Sequence, residues 1–344
     1  MPEPAGRELA ALRDWACAAL GIDPDAASLE PLAGDASFRR YTRLRSAGGS
    51  WMLCDAPPAR ERHDAFVAVA RILDAIGVRV PAVRAAQLER GWLCLEDLGD
   101  RLLLPRLSAD SVDGHYGAAM LMLRRLARAD TASLDLPPYD GERLRAELAL
   151  FPRWFCARLL GRPLDVRGER AFEALCDALC ARALAQPQVL VHRDFHARNL
   201  MLLPGDELAT IDFQDALIGP LSYDLVSLLR DCYRRWPAPR VRGWALAQRA
   251  ALAAEGVAVP AAADFLVDFD WMGLQRHLKV LGIFARLWLR DGKDSYLADL
   301  PRVMAYLREV LAAYPGEPVL ADFAALFEAQ LLPAARGAPW YRAA

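Results

Sequence analysis

The residues best suited to chemistry lie between positions 190 and 224. Within this stretch His192, Asp194 and Asn199 form the pattern H-x-D-x-x-x-x-N, and Asp212 lies in the segment I-D-F-Q-D. Phosphoryl transfer needs a carboxylate that receives the hydroxyl proton of the acceptor, and oxygen ligands that hold magnesium against the nucleotide phosphates. Asp194 suits the first task, and Asn199 and Asp212 suit the second. The spacing therefore predicts a kinase that uses ATP and Mg²⁺.

A short hairpin is predicted to position these side chains. The apolar run 200–203 is followed by a Pro-Gly-Asp turn, and a second apolar run, 208–211, ends on Asp212. A motif is supported when its predicted structural context matches the chemistry. A catalytic loop, a hairpin and a metal-binding aspartate in this order favour a kinase over an accidental match.

The other elements indicate two lobes. Before Gly99, hydrophobic periodicity and turn residues predict a first helix and then a β-β-β-α-β-β order, at 7–20, 28–33, 36–45, 50–55, 59–76, 82–88 and 92–97. After Gly99 the pattern predicts helices at 112–129, 141–160, 167–185, 223–235, 239–255, 262–290, 296–313 and 318–331. We therefore predict a bilobal, protein-kinase-like α+β fold. Residues 1–98 would form a nucleotide-binding N-lobe with an antiparallel sheet, and residues 99–344 a helical C-lobe with the catalytic loop and acceptor site.

Composition narrows the class of protein. The chain has 344 residues, of which 54% are hydrophobic and 25% charged, and its formal net charge of −2 gives no basic field for nucleic acid. The seven scattered cysteines predict small buried residues in a reducing compartment rather than a zinc site or disulfides. The N-terminus lacks a basic segment followed by an apolar one, and no uninterrupted apolar run is of membrane-spanning length. We expect a cytoplasmic protein without a membrane, nucleic-acid or obligate protein partner.

The catalytic loop and the segment after Asp212 resemble those of the aminoglycoside phosphotransferase family, which includes choline and homoserine kinases. The resemblance implies that Asp194 is the catalytic aspartate and that Asn199 and Asp212 bind the metal. It also implies that Asp224, in the sequence G-P-L-S-Y-D, buttresses the catalytic loop. Protein kinases would instead show D-F-G and A-P-E, whereas this chain has D-F-Q and no A-P-E.

Four stretches are similar to a narrower group, the bacterial kinases that phosphorylate the anomeric C1 hydroxyl of N-acetylmuramate and N-acetylglucosamine in cell-wall recycling. They are GDASFRRY, CDAPP, DFQDALIGPLSYDLVSLLRD and QRHLKVLGIFARL. The similarity implies an amino sugar as acceptor. Alternatives stay open: a kinase of an aminoglycoside, choline or homoserine, a non-catalytic nucleotide-binding protein, or a helical interaction domain with an accidental motif.

One departure from the family concerns the phosphate-binding lysine of the third N-lobe strand. The chain has only two lysines, Lys279 and Lys293, so that strand has none. Arg39 and Arg40 are the nearest replacements, since a guanidinium binds phosphate bidentately. The alternative is that both are solvated strand charges. Glu61 is a weak candidate for the helix carboxylate that would pair with the missing lysine.

The remaining nucleotide contacts are predicted in a turn and at the hinge. The backbone and hydroxyl groups of the loop from Gly34 to Ser37 can approach phosphates, although Gly34 alone fits an ordinary hairpin turn. Glu96 and Leu98 lie in the hinge segment L-E-D-L-G, where adenine is generally read by backbone groups.

The acceptor site is predicted from two segments. His196 and Arg198 lie inside the catalytic loop and are candidates for contacts with the acceptor or the phosphate, although a structural role fits His196 equally well. Gln275, Arg276 and Lys279 lie within about one helical turn, where some can share a face. Such a face suits acetamido oxygens and a lactyl carboxylate, and the alternative is a solvated helix face.

Overall fold

The computed structural model describes residues 4–32 and 39–342. The chain folds into two compact units, an N-terminal unit of residues 1–119 with 198–216 and a C-terminal unit of residues 120–197 with 217–344. In the structure, residues 99–119 and 198–216 pack with the N-terminal residues. The assignment of nucleotide binding to residues 1–98, and of the catalytic loop and acceptor site to residues 99–344, stays a prediction.

The described residues contain nine β-strands in three sheets. They are β1 (Ser28–Pro31), β2 (Arg40–Ser46), β3 (Gly49–Asp55), β4 (Val83–Gln87), β5 (Trp92–Glu96), β6 (Gln188–Val191), β7 (Leu200–Leu202), β8 (Leu208–Thr210) and β9 (Leu217–Pro220). The first five form one antiparallel sheet in the order β1-β2-β3-β5-β4. The predicted antiparallel N-terminal sheet is thus confirmed.

The same residues contain eleven α-helices. They are α1 (Pro4–Leu20), α2 (His63–Ala75), α3 (Val112–Ala127), α4 (Gly141–Leu148), α5 (Val166–Ala185), α6 (Tyr223–Leu229), α7 (Ala238–Ala254), α8 (Ala262–Asp291), α9 (Leu300–Ala313), α10 (Pro318–Leu326) and α11 (Leu332–Arg336). The mixture of an antiparallel sheet with many helices confirms the predicted α+β class.

The five-stranded sheet packs on α1. Side chains alternate across a strand, so Leu44 of β2 and Leu53 of β3 point to one face of the sheet. They form a buried cluster with Leu12, Ala16 and Cys17 of α1. Burial of this apolar surface, at about 25 cal/mol per Å², stabilises the sheet that carries the candidate nucleotide residues.

The predicted hairpin after the catalytic loop is present. Strands β7 and β8 pair antiparallel from Leu200 with Thr210 to Leu202 with Leu208. The connecting turn contains Gly205 and Asp206, both at positive φ. The Leu203 N–H donates to the Glu207 carbonyl at 2.8 Å, and this hydrogen bond closes the turn.

Two predicted helices differ from the structure, and one strand pairing was not predicted. The helix predicted at 141–160 is interrupted, because α4 ends at Leu148 and a π-helical segment, Phe151–Leu159, follows. Pro152 has no N–H to donate within a continuous α-helix, which accounts for the break. The helix predicted at 223–235 ends at Leu229, and the pairing of the four-residue strands β6 and β9 was not predicted.

Helix α8 runs through the interior of the C-terminal unit. Every residue from 268 to 282 is buried. A Cβ at Gly282 would lie 2.5 Å from the carbonyl carbon of Leu150, so only glycine permits this approach of α8 to the π-helical segment. The acceptor residues predicted on α8 are therefore enclosed by packing.

One stretch near the C-terminus has the length and apolar composition of a membrane-spanning helix. Among the described residues, Pro318–Arg336 is long and apolar enough to cross a membrane by length and composition, and 39% of it is buried. Core helices of soluble proteins meet the same criteria, so this is weak evidence for a span. All seven cysteine thiols are free and buried, as expected for small core residues.

Candidate active site

Asp224 holds the backbone at the start of the catalytic loop. Its carboxylate accepts the backbone N–H groups of His192, at 2.6 Å, and Arg193, at 3.0 Å. Arg193 has a φ of 78°, a strained value for a residue with a side chain. Burial raises the pKa of Asp224 to about 7, although both N–H donors act to lower it. The buttressing contact that the family resemblance implied is therefore present.

Asp194 is partly buried among positive side chains. Burial alone would raise its pKa, but the charges of Lys279, His196, Arg276 and Arg193 outweigh burial and hold the pKa below its ordinary value. The carboxylate is therefore ionised at neutral pH and suits the role of proton acceptor.

A single carboxylate, Glu147 of α4, organises the charges beside Asp194. It lies 2.6 Å from Nη2 of Arg193 and 2.9 Å from Nζ of Lys279. Tyr139 donates its hydroxyl to the same carboxylate, and Nε2 of Gln275 lies 3.4 Å from Oε2. Burial acts to raise the pKa of Glu147, but Lys279 and Arg193 bring it below the ordinary value.

The α8 residues predicted for the acceptor do not form a solvated face. Gln275 is 0%, Arg276 4% and Lys279 8% exposed, so the alternative of a solvated helix face is wrong for them. Lys279 also donates to the hydroxyl of Tyr223 at 3.0 Å, and Arg276 donates to Sγ of Cys232 at 3.8 Å. Their contact with substrate stays a prediction.

The two other catalytic-loop candidates occupy different units. His196 lies in the C-terminal unit, where its ring meets that of Tyr233 edge-on at 5.4 Å, and its charge is one of those that lower the pKa of Asp194. Arg198 is partly buried in the N-terminal unit. The acceptor and phosphate contacts of both stay predictions.

The two predicted metal ligands lie at the ends of the β7–β8 hairpin in the N-terminal unit. Nδ2 of Asn199 lies 3.5 Å from Oδ2 of Asp212, and the Ile211 N–H donates to the Asn199 carbonyl at 3.0 Å. Asp212 is exposed and has a φ of 64°, a left-handed conformation that aspartate tolerates better than most residues. Gln214 donates to its Oδ1 at 2.9 Å.

This donor set fits magnesium. Mg²⁺ prefers oxygen ligands and usually keeps waters and substrate phosphates beside one or two protein groups. Asn199 and Asp212 supply such groups. Across residues 4–32 and 39–342 there is no cluster of three or more His, Cys, Asp and Glu side chains that could hold a metal by itself.

The structure separates the two arginines proposed to replace the missing lysine. Arg39 is 4% exposed and pairs with Glu61 at 2.9 Å. Its guanidinium lies 6.0 Å from the ring centroid of Phe66 of α2, which packs on Phe213, the residue after Asp212. Arg40 is 63% exposed and pairs with Asp55. Arg39 thus has the carboxylate partner predicted for the lysine, whereas Arg40 fits a solvated strand charge.

The hinge side chains bind their neighbours. Glu96 accepts from Arg79 and from the Ala82 N–H at 3.1 Å, and the hydrogen bond from Arg79 outweighs burial and lowers its pKa. Leu98 packs on a cluster of Met201, Leu203 and Ala209, with Leu102 and Ile211. The nucleotide contacts of both stay predictions, and Gly34 and Ser37 lie outside the described residues.

Sequence reasoning missed Glu147. No motif marks it, but its neighbours Leu144 and Leu148 are fully buried. Glu147 follows Leu144 by three positions and precedes Leu148 by one, so it borders the apolar stripe of this helix. Such a residue requires a buried partner, and this is the signal that could have found it.

Comparisons with known proteins concern the family and the fold of this chain. A sequence model of the phosphotransferase enzyme family, which covers aminoglycoside phosphotransferases, matches residues 28–266. A Pseudomonas putida protein named N-acetylmuramate/N-acetylglucosamine kinase is 42% identical over 305 residues, 88% of this chain and 89% of the relative. Proteins of the same name are 44% identical in Pseudomonas aeruginosa, over 84% of this chain and 85% of the relative, and 43% identical in Neisseria meningitidis, over 82% and 85%.

Solved structures share the fold. An ethanolamine kinase from Plasmodium vivax has a TM-score of 0.61 at 11% identity and covers 86% of this chain and 85% of its own. An ADP-bound aminoglycoside phosphotransferase has a TM-score of 0.58 at 15% identity and covers 87% and 98%. At these identities the likeness confirms the protein-kinase-like fold alone. With the family match over most of its length, the chain belongs to the phosphotransferase enzyme family.

Proposed function

We propose that this protein transfers a phosphoryl group from ATP to the anomeric C1 hydroxyl of N-acetylmuramate and N-acetylglucosamine. The observation that carries the proposal is the 42–44% identity to proteins named as kinases of these two sugars, over 82–88% of the chain. Amino sugar and nucleotide are the proposed partners, and the cytoplasm, which supplies ATP, is the proposed location.

Asp194 is the proposed proton acceptor. Its pKa lies below the ordinary value because the surrounding cations outweigh burial, so it is ionised when the sugar binds. In a loose transition state the hydroxyl proton moves late, and a positioned carboxylate suffices to receive it. The anomeric hydroxyl suits this weak base, since it is more acidic than the other hydroxyls of a sugar.

The proposed nucleotide contacts lie in the N-terminal unit. Asn199 and Asp212 would give oxygen ligands to magnesium, which neutralises phosphate charge when bound. Arg39, held by Glu61 at 2.9 Å, is the proposed cation for the nucleotide phosphates. A guanidinium oriented by a carboxylate retains further N–H donors for phosphate oxygens.

An acceptor screen tests the proposal. The purified protein is incubated with ATP and Mg²⁺ and with N-acetylmuramate, N-acetylglucosamine, choline, homoserine or kanamycin, and products are located by phosphorus NMR. We expect sugar 1-phosphates from the first two acceptors. A higher kcat/KM for choline, homoserine or kanamycin would contradict the proposal, and so would the absence of turnover with every acceptor.

A further inference from the structure

A second pocket opens on the surface of the C-terminal unit, beside α9 and α11. It encloses about 440 Å³ and shares no lining residue with the candidate active site. Pockets that take small ligands usually enclose about 300–1,000 Å³, so this one has room for a molecule the size of a sugar. Its lining includes Arg235, Met304, Arg308, Glu309, Arg336 and Tyr341.

Helix α9 supplies one wall of the pocket. Pro301, Met304, Ala305 and Arg308 line it at spacings of three and four residues, which places them on one face of the helix. Pro301 and Met304 are buried, whereas Arg308 is only partly buried. This wall therefore combines an apolar surface with a guanidinium.

Two of the three lining arginines are oriented by carboxylates. Nη2 of Arg235 lies 3.0 Å from Oε2 of Glu309. Nε of Arg308 lies 2.5 Å from Oε1 of Glu328, in the π-helical segment Phe327–Leu331. These four side chains are between 33% and 46% exposed. A guanidinium has five N–H donors, so each arginine keeps donors that a ligand in the pocket can use.

The third arginine, Arg336, lies in the last turn of α11 and is exposed. No carboxylate within residues 4–32 and 39–342 forms an ion pair with it. The lining side chains and their ion-pair partners thus comprise three guanidiniums and two carboxylates. The pocket is open to solvent and carries an excess of positive charge, and both properties favour an anionic ligand.

We propose that this pocket binds a sugar phosphate, with the phosphate on Arg308 and Arg336. A guanidinium fork holds two phosphate oxygens at once, and two forks suit a dianion. The sugar would lie over Met304 and Tyr341, since an aromatic ring offers an apolar face to a pyranose. Glu309 can accept hydrogen bonds from sugar hydroxyls. The inference does not rest on the proposed function, because these residues lie outside the candidate active site.

Calorimetric titration with glucose 6-phosphate and with inorganic phosphate tests the inference. Wild-type protein should bind the ester at least about tenfold more tightly than inorganic phosphate, because the sugar adds contacts with Tyr341. Arg336→Gln should weaken both probes at least about tenfold, since it removes a charge-assisted contact. Tyr341→Ala should weaken the ester alone. Arg170→Gln, which changes an exposed arginine of α5, is the matched control and should bind as the wild type does.

Three results would overturn the inference. They are the absence of binding at millimolar probe, equal affinity for the ester and inorganic phosphate, and wild-type affinity in Arg336→Gln, which would place the probes elsewhere on the protein. Urea denaturation checks that each variant is folded. Turnover of ATP with N-acetylglucosamine is measured separately, and Arg336→Gln should keep the wild-type kcat. If the wild-type protein shows no turnover, the proposed function fails and the binding result still stands.

Discussion

Buried arginines in the N-terminal unit have carboxylates of their own, whereas two of the cations beside Asp194 in the C-terminal unit share one. Arg39 pairs with Glu61 and Arg43 with Asp97 and Asp100. In the C-terminal unit Glu147 is shared by Arg193 and Lys279. Separate pairs can be removed one at a time, but a shared carboxylate couples every group that binds it.

The difference suggests two ways of preparing charge for phosphoryl transfer. Around the proposed nucleotide contacts, cations are oriented by local pairs. Around Asp194, several cations lower the pKa of one carboxylate while Glu147 limits their excess charge. We therefore expect substitutions in the N-terminal unit to act on nucleotide binding and those near Asp194 to act on the chemical step and on stability together.

The largest expected effect is on the chemical step. Asp194→Asn removes the proton acceptor and should lower kcat by at least about 10²-fold while nucleotide affinity changes little. Steady-state kinetics and calorimetric titration of nucleotide measure the two quantities. Asp215→Asn, which changes an exposed aspartate of the N-terminal unit, is the control. Near-normal kcat in folded Asp194→Asn would contradict the assignment.

Removing the shared carboxylate should affect stability most. Glu147→Gln leaves Arg193 and Lys279 with uncompensated charge in a buried environment and should lower the free energy of unfolding by about 3 kcal/mol. Urea denaturation measures it, with Glu142→Gln, exposed in the first turn of α4, as the control. If both variants are equally stable, the cations beside Asp194 do not depend on Glu147.

The paired arginines should separate by function. Arg39→Ala removes the buried cation that pairs with Glu61 and should raise the KM for ATP about tenfold or more, since charge-assisted contacts with phosphate are strong. Arg40→Ala should behave as a surface change, because an exposed pair contributes little. Initial rates at varied ATP concentration decide between them. Two fully active variants would indicate that backbone and metal alone hold the phosphates.

The last prediction concerns the pH dependence of stability. Asp224 has a pKa of about 7 in the folded protein against an ordinary 3.8, because it is buried. The folded state therefore binds more protons between these values, and this carboxylate reduces stability as pH rises from about 4 to about 7, by at most about 1.4 kcal/mol per pH unit. In the Asp224→Asn variant the side chain cannot titrate, so the unfolding free energy should no longer contain the pH dependence that the Asp224 carboxylate contributes. An unchanged pH slope between pH 5 and 7 would contradict the raised pKa.

Local spacing predicted the hairpin and the motif because those features lie within a short stretch of chain. The choice between Arg39 and Arg40 could not be made from the sequence, since adjacent residues of an extended segment point to opposite sides and the sequence does not say which side is covered. Glu147 was missed because its partners, Arg193 and Lys279, are distant in sequence.

Helix α8 shows a second reason for missed features. Its basic residues were compatible with a solvated face, yet every residue from 268 to 282 is buried. A helix that is covered on all sides has no amphipathic pattern that separates a buried face from an exposed one. Its polar residues are therefore predicted to be exposed unless their buried partners are known.

The anomeric position of transfer is the central claim, and a methyl glycoside tests it most directly. The methyl glycoside of N-acetylglucosamine keeps the ring and the acetamido group but has no free C1 hydroxyl. It should inhibit phosphorylation of N-acetylglucosamine and give no phosphorylated product by phosphorus NMR after prolonged incubation with ATP and Mg²⁺. Phosphorylation of the glycoside at any hydroxyl would contradict the account.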